Sequence, residues 1–150
     1  MENLFDSHIW LKIAFSLICG FLVGIERQVR GKPVGIRTSI LICLGTSFFI
    51  HLAGQVNEGK DVVRVLGQVV TGVGFLGAGV IMTKEGLVSG VTSAAEIWLL
   101  AGVGASIGLE LYAESLTICL VALGVLVGVQ KLEKIYKQLQ RGVHRHRIEP

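Results

Sequence analysis

The sequence has few of the residue groupings that mark a catalytic or metal-binding protein. Its three cysteines all lie inside apolar runs, and an odd number so placed predicts small buried side chains, not a disulfide framework. His144 and His146 have no cysteine or carboxylate at metal-ligand spacing, so no zinc site is predicted. No nucleophile–base pair is recognisable either. We therefore expect no enzyme, no cofactor and no metal site.

The basic residues exceed the acidic ones by little, with 14 Lys and Arg against 11 Asp and Glu. They flank apolar runs and form no basic stripe, so nucleic-acid binding is not expected. The apolar runs also lack the polar residues that a soluble core helix shows at every third or fourth position. Each run is long enough to cross roughly 30 Å of hydrocarbon. The sequence therefore predicts an all-α polytopic membrane protein.

Five apolar runs predict five transmembrane helices, because a backbone in lipid must satisfy its own hydrogen bonds. The predicted spans are residues 9–25, 36–53, 65–82, 91–109 and 111–129. They form a transmembrane domain over residues 1–130, and a basic amphipathic cytoplasmic tail follows over 131–150. The tail keeps helical periodicity and is expected to lie on an anionic membrane surface, so membrane lipids are predicted partners.

The positions of Lys and Arg predict the orientation of the chain in the membrane. Eleven of them lie on the side of the first connection, the third connection and the tail, and three lie on the other side. This asymmetry predicts that the N-terminus lies outside and the C-terminus in the cytoplasm. On the outer side, Lys12 is expected to extend its amine outward and His51 to be an interface residue.

A shift of 55 residues aligns the first two spans with the next two without a gap. The aligned pairs include Gly24 with Gly79, Gly35 with Gly90, Ile36 with Val91 and Thr38 with Ser93. Two parallel helical hairpins followed by a fifth helix would give this pattern, with a central site where the hairpins meet. Chance is the alternative, since small residues recur in any membrane helix.

The glycines of the third span have three interpretations. Residues 72–77 contain a literal G-x-G-x-x-G, but a dinucleotide site needs a preceding strand and a following helix. In the second interpretation, which the sequence favours, glycine lets two membrane helices approach closely. In the third, the span is broken or kinked and serves a substrate or ion path. The glycines assigned to packing or a kink are Gly20, Gly24, Gly72, Gly74, Gly77, Gly79, Gly104, Gly108, Gly124 and Gly128.

Glu96 is the most informative acidic residue, because it lies roughly 8 Å along the fourth span from its cytoplasmic end. An ionisable group there is a functional candidate by default, and the structural alternative is a side chain that reaches the interface or pairs with Arg27 or Arg37. The basic residues of the first connection could hold a phosphate or lipid headgroup, or could anchor the chain. The candidate functional cluster is Glu26, Arg27, Arg30, Arg37, Thr38, Thr92, Ser93 and Glu96.

With these residues placed, the sequence resembles the MgtC/SapB family of bacterial inner-membrane proteins. The matching segments are residues 24–28, 30–38, 68–79 and 90–98. The resemblance implies a non-enzymatic modulator of other membrane proteins, such as the proton-driven ATP synthase, in adaptation to low magnesium, acid or intracellular stress. Many relatives carry a folded cytoplasmic domain after the last span, so the sequence resembles a short form. Relatives usually have a small or hydroxyl residue at Glu96.

The alternative function is a small transporter or channel for a divalent cation or protons, with Mg²⁺ as a candidate ion. The apparent repeat, the glycine-rich third span and the depth of Glu96 support it. Five spans are few for enclosing a path, so such a transporter would need a homodimer. A modulator instead predicts contacts between its glycine-rich faces and other membrane proteins.

Overall fold

The computed structural model describes residues 7–56, 59–84 and 87–135. Its helices are α1 (Ser7–Val29), α2 (Ile36–Gln55), α3 (Val62–Gly79), α4 (Val91–Gly108) and α5 (Tyr112–Ile135). An antiparallel hairpin of β1 (Met82–Lys84) and β2 (Leu87–Ser89) joins α3 to α4. All five helices are long and apolar enough to cross a membrane. The predicted all-α fold with five transmembrane helices is confirmed, and the chain is a multi-pass membrane protein.

α4 lies at the centre of the bundle, and α3 lies at its edge. In the most apolar stretch of each helix, 56% of the residues are buried in α4 but only 6% in α3. α4 packs against all four other helices, and its closest neighbour is α2. The buried core includes Val23, Cys43, Ile97, Leu100 and Ile107. Large apolar side chains also cover the outside of the bundle, as a lipid-facing surface requires.

The turn between α1 and α2 depends on a glycine and on one glutamine side chain. Gly31 has a φ of 62°, and its N–H donates to the carbonyl of Gln28 at 3.0 Å. The N–H of Lys32 donates to the carbonyl of Arg27 at 3.0 Å, which completes a Schellman motif and satisfies the end of α1. The side chain of Gln28 then accepts a hydrogen bond from the N–H of Ile36 at 3.2 Å. This contact caps α2 and fixes the two helices as a hairpin.

The third span was predicted at residues 65–82, whereas α3 occupies Val62–Gly79. Ile81 and Met82 are apolar, but Ile81 lies in the connection after α3 and Met82 begins β1. Gly90 closes this connection with a φ of 88°, and a Cβ there would collide with the carbonyl of Val80. α3 itself is one uninterrupted α-helix, so a broken third span is not observed.

α2 begins at Ile36 and α4 begins at Val91, each directly after a glycine. These two starting positions are equivalent in the predicted repeat. The connections before them differ, because the first is a turn and the second is the β-hairpin. We call the end of the bundle that carries these two connections the basic end, and the end that carries Glu110 the opposite end. α5 continues to Ile135, and the rest of the predicted tail lies outside the described residues.

Candidate functional site

A buried ion pair joins α1 to α4 near the basic end of the bundle. Nε of Arg27 lies 2.6 Å from Oε2 of Glu96, and the side chains are only 5% and 2% exposed. Nη2 of Arg27 also donates a hydrogen bond to the hydroxyl of Ser93 at 2.9 Å. An ionisable group inside a membrane bundle is costly unless it is paired, so this contact is what permits Glu96 at this depth.

Both carboxylate oxygens of Glu96 are enclosed by the bundle. Nε of Arg27 reaches one of them, and Ser39 adjoins the same carboxylate. The charge of Arg27 at this distance compensates for the removal of the carboxylate from water.

A second ion pair lies one turn away on α1, where Nε of Arg30 is 2.6 Å from Oε1 of Glu26. The side chain of Glu26 is 8% exposed, and both of its oxygens are enclosed by the bundle. Nη1 of Arg30 reaches the carbonyl of Leu126 on α5 at 3.5 Å, which is a long contact. We call Glu26, Arg27, Arg30, Ser93 and Glu96 the polar cluster; its formal charges sum to zero.

Three residues of the predicted cluster lie outside this group. Arg37, Thr38 and Thr92 are exposed on the surface of the bundle. Thr38 lines a groove between α2 and α3, and Thr92 lines a cavity between α4 and α5 beside Glu96. Of the two partners considered for Glu96, the structure therefore brings Arg27 to it and leaves Arg37 at the surface.

Ser39 is a buried residue of this region that the sequence did not single out. It adjoins the carboxylate of Glu96, and its hydroxyl donates to the carbonyl of Gly35 at 3.0 Å. The predicted cluster contains its neighbour Thr38 instead. Successive residues on a helix point about 100° apart, so only one of the two can face the core. The signal that favours Ser39 is its place on the same face of α2 as the buried residues Ile42 and Cys43.

Five of the ten predicted packing glycines lie at close helix contacts. A Cβ on Gly20 or Gly24 would come within 2.5 or 2.6 Å of a Cα atom of α2. A Cβ on Gly104 would come within 2.5 Å of the carbonyl oxygen of Cys43, also on α2, and Gly108 is equally crowded. Gly77 lies against Ala94 of α4 at ordinary contact distance. These glycines hold α1 and α4 against α2, and α3 against α4.

The other five glycines face open space, and no described atom of another element lies within 4 Å of a Cβ built on them. They are Gly72, Gly74 and Gly79 on α3, and Gly124 and Gly128 on α5. The G-x-G-x-x-G string lies inside α3, and no strand precedes it in residues 7–56 or 59–71, so it lacks the setting of a dinucleotide fingerprint. These glycines instead leave bare backbone on the outer surface of the bundle.

The MgtC family profile matches residues 13–135, which include the whole polar cluster. The chain belongs to the MgtC family. The match confirms the resemblance drawn from the sequence motifs, and no solved structure matches the chain significantly.

The named relatives of this MgtC-family chain come from several bacteria. It is 40% identical over 108 residues to YhiD of Escherichia coli K12, named as a candidate magnesium transporter, with 67% of this chain and 50% of YhiD covered. It is 36% identical over 141 residues to the protein MgtC of Brucella abortus, covering 91% and 58%. It is 33% identical over 143 residues to SapB of Bacillus subtilis, covering 89% and 60%. The chain thus spans about half to three fifths of these relatives.

A second polar group, which the sequence did not predict, lies at the opposite end of the MgtC-family bundle. Lys12 was expected to extend outward, but it is only 7% exposed. Its amine donates to Nδ1 of His51 at 2.9 Å and lies 3.0 Å from Oε1 of Glu110. His8 lies 3.5 Å from the other oxygen of Glu110. Lys12 therefore links α1 to α2 and to the turn between α4 and α5.

Glu110 takes a conformation that few residues other than glycine adopt. Its φ is 67°, and the hydrogen bonds around it form a second Schellman motif at the end of α4. A left-handed backbone costs a residue with a side chain roughly 1–2 kcal/mol. The carboxylate compensates for part of this cost by contacting Lys12 and His8.

The hydrogen bond from Lys12, followed by the charges of Lys12 and His8, holds the pKa of Glu110 below its ordinary value. A lowered folded-state pKa contributes stability above the unfolded pKa, and that stability is lost as the pH falls through the folded value. We expect Glu110→Gln to lower the Tm at pH 7, and the difference from the parent to shrink once the pH falls below about 4.3, the ordinary pKa of a glutamate. Glu114→Gln, which removes an exposed carboxylate nearby, should not show this pattern. A Tm difference independent of pH would contradict the assignment.

Proposed function

We propose that this chain is a non-enzymatic modulator that binds other membrane proteins through its transmembrane helices, in adaptation to low magnesium, acid or intracellular stress. The observation that supports this function best is the exposed face of α3. Gly77 is the buried residue of this helix, whereas Val63 and Phe75 are 80% and 81% exposed. A helix that contributes so little to its own core has most of its surface available for another protein.

A groove between α2 and α3 forms part of this exposed surface. It has a volume of about 620 Å³ and is lined mainly by apolar side chains of the two helices. Gly45 on α2 and Gly72 on α3 both line it, and neither would bring a Cβ within 4 Å of another described element. Gln68 adds one amide that can hydrogen-bond across a helix interface.

Helix association in lipid depends on close packing and interhelical hydrogen bonds, since apolar burial gives little gain there. A groove with bare backbone on both walls lets a partner helix approach more closely than a wall of large side chains would. The groove therefore suits a transmembrane helix of a partner protein. The glycine pair Gly20 and Gly24 cannot receive a partner helix, because α2 already packs against it.

A transporter or channel is the second candidate, supported by the name of YhiD and by the depth of the polar cluster. The charge balance of that cluster argues against a cation path, because Arg27 and Arg30 neutralise both carboxylates. In the described part of the chain, no three His, Cys, Asp or Glu side chains are grouped as a metal site. A divalent cation would have to displace at least one arginine, so this function is the weaker proposal.

Photocrosslinking in cells tests the modulator proposal. A photoreactive aromatic residue at Phe75 should form adducts with a membrane protein, and Gly72→Leu should reduce their yield about tenfold, the effect of losing about 1.4 kcal/mol. Gly102→Leu is the matched control, since Gly102 is also an exposed glycine without a close neighbour, but lies on α4. Equal yields from the parent and Gly72→Leu, or flux of Mg²⁺ or protons into liposomes containing the chain alone, would favour the alternative.

A further inference from the structure

The side of α3 that is turned away from the bundle carries a regular pattern of exposed residues. They follow one another alternately four and three positions apart and are Arg64, Gln68, Thr71, Phe75 and Ala78. A mean spacing of 3.5 residues aligns them along one side of the helix, as in the seam of a left-handed coiled coil. Gly77, the buried residue of α3, faces the other way. We call the five exposed residues the α3 seam.

Gln68 is the residue of the α3 seam whose chemistry requires a partner. It lies six residues after Val62, roughly 9 Å along a membrane-spanning helix, so its exposed amide meets hydrocarbon. No other described residue hydrogen-bonds to this amide, whereas the hydroxyl of Thr71 donates to the carbonyl of Gly67 at 2.9 Å. An amide without a hydrogen bond is costly in an apolar environment. Its position therefore favours a neighbouring helix that offers both a donor and an acceptor.

We propose that the α3 seam binds the α3 seam of a second copy of this chain, forming a parallel dimer about a two-fold axis along the membrane normal. Two copies inserted in the same orientation hold Gln68 at the same depth, and the axis brings the two amides together. An amide has both donors and an acceptor, so each Gln68 donates to the oxygen of the other. A polar residue at one position of a coiled-coil seam also fixes the register of the two helices.

The charges at the start of α3 are complementary between two such copies. Nε of Arg64 lies 3.0 Å from Oδ1 of Asp61, and the side chain of Arg64 is 69% exposed. Each copy thus brings one guanidinium and one carboxylate to the same end of the contact. The guanidinium of one copy can meet the carboxylate of the other as well as its own, since a carboxylate accepts several donors. The two ion pairs sum to zero formal charge, so the copies meet there without net repulsion.

This self-association goes beyond the proposed function, because the partner is another copy of the chain and the surface is a different one. Of the five residues in the α3 seam, only Gln68 also lines the groove between α2 and α3. Phe75 is 81% exposed and belongs to the seam, so a photoadduct formed there with a second copy has twice the mass of the chain. That mass distinguishes self-association from binding of a different protein.

Disulfide cross-linking in native membranes tests the register of the α3 seam. Thr71→Cys should form a covalent dimer on mild oxidation, because the two-fold axis places the two thiols against each other. Val70→Cys is the matched control, since Val70 is 41% exposed but points about 100° away from Thr71. The parent should form no covalent dimer, because its three cysteines are buried. Equal cross-linking of the two variants, or adducts of Thr71→Cys with other proteins alone, would overturn the proposal.

Energy transfer between labelled copies of the purified chain in lipid vesicles, at decreasing protein-to-lipid ratios, tests the amide contact. Gln68→Leu should weaken the dimer about tenfold, the effect of losing interhelical hydrogen bonds in lipid. Gln68→Asn keeps an amide and should recover part of the affinity. Gln55→Leu removes an exposed amide at the end of α2 and should have no effect.

A chain that stays monomeric at every protein-to-lipid ratio would overturn the proposal. So would a Gln68→Leu dimer as tight as that of the parent, because the contact would then not depend on the amide. Since these vesicles contain this chain alone, either result leaves the proposed binding of other membrane proteins to be judged by its own photocrosslinking.

Discussion

Replacing Arg27 with leucine is expected to destabilise the folded chain by about 3–5 kcal/mol, because the change leaves a buried carboxylate without its partner. Glu96 is 5% exposed and cannot turn to water without moving α4. The substitution also removes the hydrogen bond that Arg27 donates to Ser93 at 2.9 Å. Unfolding of the purified protein in mixed detergent micelles, followed by circular dichroism, measures the loss.

Two further variants separate the ion pair from a general effect of removing arginine. Arg37→Leu removes an exposed arginine at the same end of the bundle and should change the free energy of unfolding by less than about 0.5 kcal/mol. The double variant Arg27→Leu/Glu96→Leu should recover most of the stability, since well-packed apolar residues often replace a buried ion pair without loss. A double variant as unstable as Arg27→Leu would show that the pair is not the source of the effect.

The spans were predictable from the sequence because the thickness of a bilayer sets the length of an apolar run, whatever the neighbouring helices do. Four of the five predicted spans begin within two residues of a helix, and α1 and α5 continue beyond the predicted ends. The third is displaced because Ile81 and Met82 are as apolar as a helix end but enter a β-hairpin. That hairpin depends on the left-handed Gly90 packed on the carbonyl of Val80, which hydropathy does not report.

The polar contacts were only partly predictable, because each depends on which face of a helix meets its neighbour. The depth of Glu96 predicted that it needs a partner, but Arg27 and Arg37 were both within reach in sequence terms. Packing decides between them, since Arg27 faces α4 and Arg37 faces outward. Lys12 and Glu110 are far apart in the sequence, and their contact follows from the tertiary arrangement alone.

The contact between α2 and α4 is a place where one added methyl group should be costly. A Cβ on Gly104 would lie 2.5 Å from the carbonyl oxygen of Cys43 and 2.9 Å from Cβ of Thr46. The carbonyl belongs to the backbone of a helix and cannot turn aside, so the two helices must separate. Gly104→Ala should therefore lower the free energy of unfolding by about 1–3 kcal/mol, and Gly104→Leu by more.

Gly102 provides a control on the same helix, two residues away, where the same substitution should have the opposite sign. It is exposed, and a Cβ there meets no described atom of another element within 4 Å. Alanine is a better helix former than glycine, so Gly102→Ala should be neutral or stabilising by up to about 1 kcal/mol. Unfolding in mixed micelles compares the two variants directly. If both substitutions stabilised the chain, α4 would not lie as close to α2 as the structure places it, and Glu96 would lose the packing that holds it against Arg27.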